Sequence, residues 1–542
     1  MDRFRYHSKR EWHAAAQRSV VMGCAGMVAT SQPLACISGY RAMLGGGNAV
    51  DAAVAMAATL SVVEPYSVGI GGDCFGLFYR KDQDRLFGMN ASGRAPMRAD
   101  VDVLRGLGHA GMPAHGILSV TTPGALAGWA DAVARFGRLN LADALQDAIR
   151  YAENGFPVSE VIAGEWAQEE NMLAGHPASA GTYLIAGRAP EPGQVFTNPD
   201  LAATYRHICD AGPETFYRGR LASRIAAFSA AEGGLLNEDD LARHRTTWVE
   251  PLTMGFRGMT VCELPPNGQG VSALEILNIL SGYALDQLRP DGAEYLHLLA
   301  EAIKIAFANR DHFLTDADHC RLPLDEVCSA AYGRRARRLI HPRRAMAFPP
   351  PGAALNGSDT VYIAAADADG NVASLISSIF MPFGSGMVVP GAGFALHNRG
   401  SSFSLDSGHP NCLLPGKRPM HTIIPGMLMN GGQVQMAFGV MGGDMQPQGH
   451  AQLLLNLLVH GMNLQESIDA PRLRLMPDRS IYLEAGIPAA ARDRLTKWGH
   501  QLDRSPTPVN KVGGGQAIWR DHAQGVWLGA SDRRKDGCAL GW

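Results

Sequence analysis

Residues 360–380 read TVYIAAADADGNVASLISSIF and contain the pattern that decides the fold. Residues 360–366 and 372–380 are apolar runs rich in β-branched residues, and the short polar segment 367–371 separates them. Two such runs joined by a turn that contains Asp, Gly and Asn are typical of a β-hairpin. The sequence therefore predicts two antiparallel strands, the first of which opens at Thr360.

The segments on both sides of the hairpin favour helices packed on a mixed sheet. Upstream, Asn48 precedes an Ala-rich run that is apolar on nearly every face, which predicts a helix buried on all sides that ends before Pro65. Apolar periodicity predicts further elements. They are helices at 124–136, 141–154, 272–285, 294–312, 448–461 and 487–499, and strands at 433–440, 480–484, 516–520 and 525–529.

The region 315–358, which precedes the hairpin, has a different composition. It contains basic runs at 334–338 and 341–344, three consecutive prolines at 349–351 and an Asn-Gly pair at 356–357. Basic and proline-rich segments are typical of solvated connections between packed units. We therefore expect a mobile linker that ends immediately before Thr360.

Charge and cysteine usage exclude several functions. The 542-residue chain has 48 basic and 51 acidic residues, a formal net charge of −3, so it lacks the basic excess that holds nucleic acid. Its nine cysteines form no CxxC or zinc-type spacing, so we expect free buried thiols rather than a disulfide framework. The N-terminus is not a secretory signal and no apolar run would span a bilayer. We therefore expect a cytoplasmic protein without membrane partners.

The sequence lacks the common motifs for nucleotide, metal and serine-hydrolase chemistry. The sequence contains no P-loop, no GxSxG and no HExxH motif. The glycines within 69–72 follow a helix and are better explained by a tight turn than by a phosphate loop. His297 is better explained as a structural residue of a buried helix than as a ligand. We therefore predict neither a cofactor nor a metal ion.

The position of Thr360 permits one type of catalysis. A threonine hydroxyl is a poor nucleophile without a base, but cleavage of the Asp359–Thr360 bond would free an α-amine on the same residue. That amine would titrate near ~7.7–8.0 and could accept the hydroxyl proton without a histidine. A strand-opening threonine with no catalytic role is the alternative that this feature alone leaves open.

A series of motifs carries a family resemblance. In chain order they are GMVATSQPLA (26–35), GGGNAVDAAVAMAATLSVVEPYSVGIGGDCF (45–75), TTPGALAGWADAVARFG (121–137), LPPNGQG (264–270), DTVYIAAADADGNVASL (359–375), PGKRPMHT (415–422), VMGGDMQPQ (440–448) and GASDRRKDG (529–537). The sequence thereby resembles the γ-glutamyltransferase family of N-terminal nucleophile hydrolases. Its departures from the pattern of γ-glutamyl enzymes bring it closer to the acylase-like branch, which includes oxamate amidohydrolase and cephalosporin-acylase-like proteins.

The resemblance implies an α+β fold, a four-layer αββα sandwich, that is made as an inactive precursor. Such a precursor cleaves itself before the catalytic threonine, here at the Asp359–Thr360 bond. The products would be a large subunit, residues 1–359, and a small subunit, residues 360–542. They would remain together as an αβ heterodimer, with further pairing of these units left open.

The resemblance also implies the catalytic residues. Thr360 would be the nucleophile and, through its α-amine, the base, and Ser378 would be the hydroxyl beside it. The backbone N–H groups of Gly442 and Gly443 would bind the oxyanion, because acyl transfer requires fixed donors aimed at the developing charge. An ordinary turn is the alternative for this glycine pair.

Three substrate-contacting positions depart from the family pattern by losing charge or polarity. Ser92 stands where γ-glutamyl enzymes have the arginine that binds the α-carboxylate, and Ser402 where they have the acid that binds the α-amine. An ammonium group would then have no charged partner, which is costly once water is excluded. Phe380 replaces an asparagine and makes the pocket smaller and less polar.

Other departures introduce basic groups. Arg399 replaces a glutamine, His421 and Thr422 replace a serine pair, and Arg94 lies two residues after Ser92. A guanidinium binds a carboxylate through two parallel hydrogen bonds, so Arg399 and Arg94 are candidates to hold an acidic substrate. Arg399 as a purely structural ion-pair partner is the alternative. We therefore predict an amidohydrolase for a small acid without an amine, with oxamate as the best candidate.

Two other functions stay open. One is a glutathione hydrolase or γ-glutamyltransferase, which activity on a γ-glutamyl anilide, stimulated by a dipeptide acceptor, would indicate. The other is a relative that never cleaves itself and serves as a non-catalytic scaffold, which persistence of the intact chain would indicate.

Overall fold

Two stacked β-sheets form the centre of the molecule. The structure is a computed structural model that describes residues 18–319, 323–347, 359–503, 505 and 512–542. The first sheet contains, in spatial order, β1 (Val21–Gly23), β17 (Val526–Ser531), β16 (Gly515–Asp521), β13 (Gln433–Val440), β12 (Gly426–Asn430), β9 (Met259–Glu263) and β8 (Leu252–Phe256). The second contains β18 (Cys538–Gly541), β2 (Met27–Thr30), β10 (Asp359–Ala366), β11 (Val372–Phe380), β3 (Asp73–Arg80), β4 (Arg85–Asn90) and β7 (Thr247–Val249).

Helices and two short strand pairs surround these sheets. The short pairs are β5 (Phe156–Pro157) with β6 (Val195–Phe196) and β14 (Leu473–Leu475) with β15 (Ile481–Leu483). The helices are α1 (Pro33–Leu44), α2 (Ala49–Val63), α3 (Val101–Gly106), α4 (Ala125–Phe136), α5 (Leu141–Asn154), α6 (Glu160–Gln168), α7 (Glu170–Ala174), α8 (Pro177–Tyr183), α9 (Pro199–Ala211), α10 (Thr215–Arg218), α11 (Arg220–Ala231), α12 (Glu238–Arg243), α13 (Gly270–Leu280), α14 (Ala293–Phe313), α15 (Leu324–Val327), α16 (Ala330–Arg337), α17 (Met445–Leu458), α18 (Leu464–Asp469) and α19 (Ala489–Lys497).

The predicted hairpin lies in the middle of the second sheet. β10 pairs antiparallel with β11 on one side and with β2 on the other, so both its edges are covered. Side chains alternate along β10 because successive Cβ atoms point to opposite faces of a sheet. Val361 joins the core under the helices, whereas Tyr362 joins the core between the two sheets. The hairpin prediction is confirmed.

The sheets and helices form four layers. Apolar side chains of both sheets, such as Phe75 of β3 and Met427 of β12, pack in the space between them. Helices α1, α2, α4 and α5 cover the outer face of the second sheet, and α13, α14 and α17 cover that of the first. The order of layers is αββα, which confirms the fold that the resemblance implied.

Helix α2 is buried on every side, as its composition predicts. All fifteen of its residues are buried, and Asn48 forms a capping box with Asp51 at its start. Asp51 also accepts hydrogen bonds from the backbone N–H groups of Arg138 (2.8 Å) and Leu139 (3.3 Å), which precede α5. The Asp51 carboxylate therefore caps α2 and also fixes the position of the segment that leads into α5.

The region expected to be a mobile linker is folded over much of its length. Residues 323–347 include α15 and α16, and the side-chain amide of Asn278 on α13 donates to the carbonyls of Val327 (2.8 Å) and Ser329 (2.9 Å). The linker prediction was wrong here because basic side chains such as Arg337 find carbonyl partners on α13. Residues 320–322 and 348–358 lie outside the described residues, where that prediction is untested.

Smaller differences concern the ends of elements. The helix predicted at 272–285 spans Gly270–Leu280, and the strand predicted at 480–484 spans Ile481–Leu483. Within the described residues, no helix combines the length and the apolar character needed to cross a membrane. The division into residues 1–359 and 360–542 stays a prediction.

The structure predicts that Asp51→Ala destabilises the protein by about 2–4 kcal/mol, because several backbone donors lose a buried acceptor. The matched control is Asp143→Ala, since Asp143 has the same place in the capping box of α5 but is exposed. We expect that control to cost at most about 1 kcal/mol. Urea denaturation measures both free energies of unfolding, and equal losses would contradict the proposed role of Asp51.

Candidate active site

The predicted nucleophile, Thr360, is the second residue of β10. It is fully buried, and its Oγ1 donates a hydrogen bond to Oγ of Ser378 on β11 (3.2 Å). The register of the hairpin shifts between Asp359 and Val361, so the irregularity falls at the predicted nucleophile. A bulge of this kind re-aims a side chain, and here it accompanies the contact between the two hydroxyl groups.

Phe380 ends β11 in a strained conformation beside this hydroxyl pair. Its φ is 80°, in the left-handed region, and its backbone N–H donates to Ser378 Oγ at 2.8 Å. The guanidinium carbon of Arg399 lies 4.0 Å from the centre of the Phe380 ring, which is cation–π geometry. Phe380 therefore positions Ser378 through its backbone and Arg399 through its ring.

Arg399 connects Ser378, one of the two hydroxyl groups, to the loop that contains Thr422. Its Nη2 donates to Ser378 Oγ (3.3 Å), and its Nη1 donates to Oγ1 of Thr422 (2.9 Å). Its side chain is buried, and burial lowers the pKa of Arg399 to about 9, although Asp73 partly opposes this shift. The Nε atom lies 3.7 Å from Asp73 Oδ2 and has no hydrogen-bond partner among the described residues. The guanidinium is thus incompletely paired.

The carboxylate that faces Arg399 is Asp73, the first residue of β3. Its Oδ1 accepts from the Gly93 N–H (3.0 Å), and its Oδ2 lies 2.9 Å from His421 Nε2 and 3.0 Å from His397 Nδ1. Burial opposes ionisation, but the two histidines outweigh it and hold the pKa of Asp73 well below its usual value. Asp73 is therefore a charged carboxylate in a fully buried site.

His421 is neutral in this arrangement. Burial, followed by the charge of Arg399, lowers the pKa of His421 to about 3. Its Nδ1 accepts from the Ile423 N–H (3.3 Å), so the proton is assigned to Nε2, which donates to Asp73. A neutral histidine with both ring nitrogens engaged orients the acid and takes no part as a base.

Ser92 belongs to a group of amides behind Asp73. Its hydroxyl donates to Asn90 Oδ1 (2.7 Å), and its Oγ accepts from the side-chain amide of Asn267 (3.2 Å). Asn267 in turn accepts, through its backbone carbonyl, from the N–H of His421 (2.8 Å). The hydroxyl at position 92 is therefore occupied by structural contacts.

The glycine pair follows β13 and precedes α17. Gly442 and Gly443 both have positive φ, 116° and 58°, a conformation that side chains disfavour. Within the described chain, no group accepts a hydrogen bond from either backbone N–H. Gln269 ties this turn to the site, because its side-chain amide donates to the carbonyls of both Gly443 (3.0 Å) and Thr422 (2.8 Å).

Two predicted binding residues lie outside this cluster of contacts. Arg94 is half-exposed and forms ion pairs with Asp316 (3.1 Å) and Asp318 (2.9 Å), so its guanidinium is already compensated. Ser402 follows Arg399 in the same 3₁₀ turn, and its hydroxyl is buried without a hydrogen-bond partner among the described residues. The described contacts therefore bring together Thr360, Ser378, Phe380, Arg399, His421 and Thr422, but not Arg94 or Ser402.

Sequence reasoning missed Asp73, His397 and Gln269. Asp73 and Gln269 lie inside quoted motifs, 45–75 and 264–270, where a lone polar residue among glycines and apolar residues was the available signal. His397 offered no comparable signal, because its ring meets Asp73 and the carbonyl of Thr121 (2.9 Å) only through the fold.

The two stacked antiparallel sheets are covered by helices on both sides, and a buried threonine lies at the start of the central hairpin. This arrangement is that of an N-terminal nucleophile hydrolase. The family comparison narrows this class. The family model described as gamma-glutamyltranspeptidase matches residues 36–542. The chain belongs to the gamma-glutamyltranspeptidase family, as its motifs had indicated.

Several relatives are similar over nearly the whole chain. The glutathione hydrolase-like YwrD proenzyme of Bacillus subtilis is 36% identical over 527 residues, 96% of this chain and 99% of that protein. The oxamate amidohydrolase proenzyme of Klebsiella pneumoniae is 36% identical over 530 residues, 95% and 98% of the two chains. The crystal structure of cephalosporin acylase from Bacillus halodurans matches with a TM-score of 0.92 at 40% identity, covering 98% of each chain.

The buried charges predict that Asp73→Asn lowers the free energy of unfolding by about 3–5 kcal/mol at pH 7. The folded-state pKa of Asp73 is depressed, so its contribution is complete above the unfolded value near ~3.9 and is lost as pH falls through the folded value. We expect the wild type to keep its full advantage at pH 5–7 and to lose it progressively below about pH 4.

Denaturation of both proteins across this pH range measures the difference. Asp102→Asn, a change at an exposed position in α3, is the control and is expected to stay within about 0.5 kcal/mol of the wild type. An advantage that instead grows as pH falls would contradict a charged Asp73.

Proposed function

We propose that this chain is a self-processing amidohydrolase that uses Thr360 as its nucleophile. The proposal is supported by the buried Thr360 hydroxyl in contact with Ser378, and by relatives that are named as proenzymes. Cleavage of the Asp359–Thr360 bond gives a large subunit, residues 1–359, and a small subunit, residues 360–542. The two remain associated as an αβ heterodimer, because β2 of the first pairs with both β10 and β18 of the second.

The freed α-amine acts as the base in the proposed reaction. It accepts the Oγ1 proton as the hydroxyl attacks the amide carbon of the substrate, while Ser378 orients that hydroxyl. The N–H groups of Gly442 and Gly443 stabilise the oxyanion, since positive φ at both residues leaves these donors outside regular structure. The amine or ammonia departs with the proton, and water then hydrolyses the ester on Thr360.

Arg399 determines the proposed substrate class. It is a buried cation one hydroxyl removed from the nucleophile, with Arg399 Nη2 3.3 Å from Ser378 Oγ and Thr360 Oγ1 3.2 Å from the same atom. A carboxylate next to the scissile amide would complete its partial pairing, and Phe380 favours a small substrate. We therefore propose a short, carboxylate-bearing amide as the substrate, with oxamate as the best candidate.

The nearest acid does not suit a substrate ammonium group. Asp73 already accepts from Gly93 and His421 and faces His397, so it is compensated before any ligand binds. Ser402 offers an uncharged hydroxyl at the position where an acid would be needed. These contacts favour a substrate without an α-amine over a γ-glutamyl compound.

Glutathione hydrolysis or γ-glutamyl transfer is the second candidate. It is supported by the relative of Bacillus subtilis, which is named as glutathione hydrolase-like. A γ-glutamyl substrate would have to bind its ammonium group through the Ser402 hydroxyl and neutral dipoles. A non-catalytic, unprocessed relative is the remaining alternative, and the first experiment below would detect it.

We predict that the purified wild type consists of two fragments that meet at Asp359–Thr360, and that Thr360→Ala remains one chain. Thr360→Ser retains a hydroxyl and should be cleaved, at a different rate. Intact-mass spectrometry measures all three proteins. A single full-length mass for the wild type, persisting after prolonged incubation, would contradict the proposed self-processing.

We predict that the processed enzyme releases ammonia from oxamate and that Arg399→Gln lowers kcat/KM by about 10²–10³-fold, because the substrate carboxylate loses a buried charged partner. Arg399→Lys should recover only part of this loss, since it lacks the planar fork. The control Arg206→Gln changes an exposed arginine that pairs with Glu153 and should leave the rate within about twofold of wild type.

A γ-glutamyl anilide, with and without a dipeptide acceptor, distinguishes the second candidate. Turnover of the anilide that the dipeptide stimulates, together with no ammonia from oxamate above the Thr360→Ala background, would reject the oxamate-like substrate in favour of γ-glutamyl transfer. That result would leave Thr360 as the proposed nucleophile.

A further inference from the structure

Two cysteines that are far apart in sequence meet at an edge of the second sheet. Cys36 lies within α1 and is fully buried, whereas Cys538 begins β18 and is partly exposed. The Cys36 thiol donates a hydrogen bond to the carbonyl oxygen of Cys538 (3.2 Å), and helix α1 packs against strand β18 at this point. The contact therefore joins a buried cysteine to a partly exposed one.

The surroundings make the two thiols chemically unequal. The neighbouring Cys36 side chain lowers the pKa of Cys538 to about 7 against the effect of burial, and the nearby charge of Arg18 contributes. Arg18 is held there by hydrogen bonds to the carbonyls of Gly537 (3.0 Å) and Ser531 (2.6 Å). Burial raises the pKa of Cys36, which stays a neutral thiol. An accessible thiolate beside a protonated thiol is the arrangement of a reactive cysteine and its resolving partner.

The position of this pair in the sheet gives it a structural role. Strand β2 lies between β10 and β18, so it is paired on one side with the strand of Thr360 and on the other with the strand of Cys538. Cys36 lies on the helix that follows β2. A covalent bond between the sulfurs would therefore link the edge strand β18 to α1, the helix that follows β2.

We propose that Cys36 and Cys538 are a redox site that forms a reversible disulfide when the protein meets a hydroperoxide. The Cys538 thiolate attacks one peroxide oxygen, the O–O bond breaks, and the departing hydroxide takes up a proton to become water. The Cys36 sulfur then attacks the Cys538 sulfenic acid, the S–S bond forms, and the hydroxyl leaves with the Cys36 proton as a second water. Two thiols lose two electrons in total, and the peroxide accepts them.

This site is independent of the amide chemistry. Its formation requires neither cleavage at residue 359 nor a substrate. If the chain is cleaved as proposed, the disulfide becomes a covalent link between the two subunits, because Cys36 and Cys538 lie on opposite sides of the cleavage point.

The test uses the full-length Thr360→Ala protein, so that its result does not depend on processing. Treatment with a small excess of hydrogen peroxide should lower the intact mass by about 2 Da, the mass of two hydrogens. Tryptic mapping should yield one peptide pair that contains residues 36 and 538 and that dithiothreitol separates. For the processed wild type, the fragments should migrate together on a gel without reductant and separately with it.

Variants of individual cysteines and of Arg18 test whether Cys36 and Cys538 form the cross-link. Cys36→Ala should abolish the linked peptide and slow the oxidation of Cys538, because it removes the side chain that lowers the pKa of Cys538. Cys262→Ala, which removes a buried thiol whose sulfur lies 3.9 Å from the Thr260 carbonyl, should leave the cross-link intact. Arg18→Gln should slow the reaction with peroxide several-fold at pH 7. Oxidation of wild-type Cys538 to sulfinic acid without a linked peptide, or an unchanged mass, would overturn the proposal.

Discussion

The buried charge of Asp73 is the constraint on which the site depends. A carboxylate in a fully buried position is very costly unless its oxygens are paired. Here the pairing comes from the Gly93 N–H and His421, with His397 and Arg399 facing the second oxygen. These partners come from three segments of the chain, those of Gly93, His397 with Arg399, and His421. The charge of Asp73 thus brings Arg399 and two histidines to one point, beside the predicted nucleophile.

The hairpin provides the rigidity that this arrangement needs. β11 is paired with β10 and β3, and β10 is paired with β2 at Ala364–Ala366, so Thr360 and Ser378 are fully buried on a sheet that neighbouring strands hold in place. The irregular positions lie only at its end, where the register shifts near Thr360 and Phe380 adopts a positive φ. Strain of this kind persists where the surrounding structure over-determines the backbone, and it concentrates at functional sites.

Much of the fold could be predicted from local sequence. The hairpin, the buried helix α2 and most long helices follow from periodicity and capping, which depend on residues near each other in the chain. The linker prediction failed because the carbonyl partners of Arg337 lie on α13, 58 and 59 residues earlier in the chain. The same limit applies to the site. Arg399 and Arg94 carry the same group, and only the fold shows that Asp316 and Asp318 compensate Arg94 while Arg399 shares Asp73 with two histidines.

The sharing of Asp73 between Arg399 and two histidines affects which ligand charge would suit the site. Asp73 keeps Arg399 protonated at neutral pH, since the pKa of Arg399 falls to about 9 on burial and not lower. The same acid leaves Arg399 underpaired, because its nearest oxygen is 3.7 Å from Nε and is engaged by His421. An incoming carboxylate would satisfy that cation, whereas an incoming ammonium would add a second positive charge to a site whose acid is already used. The proposed preference for an anionic substrate thus rests on how one carboxylate divides its two oxygens among four partners.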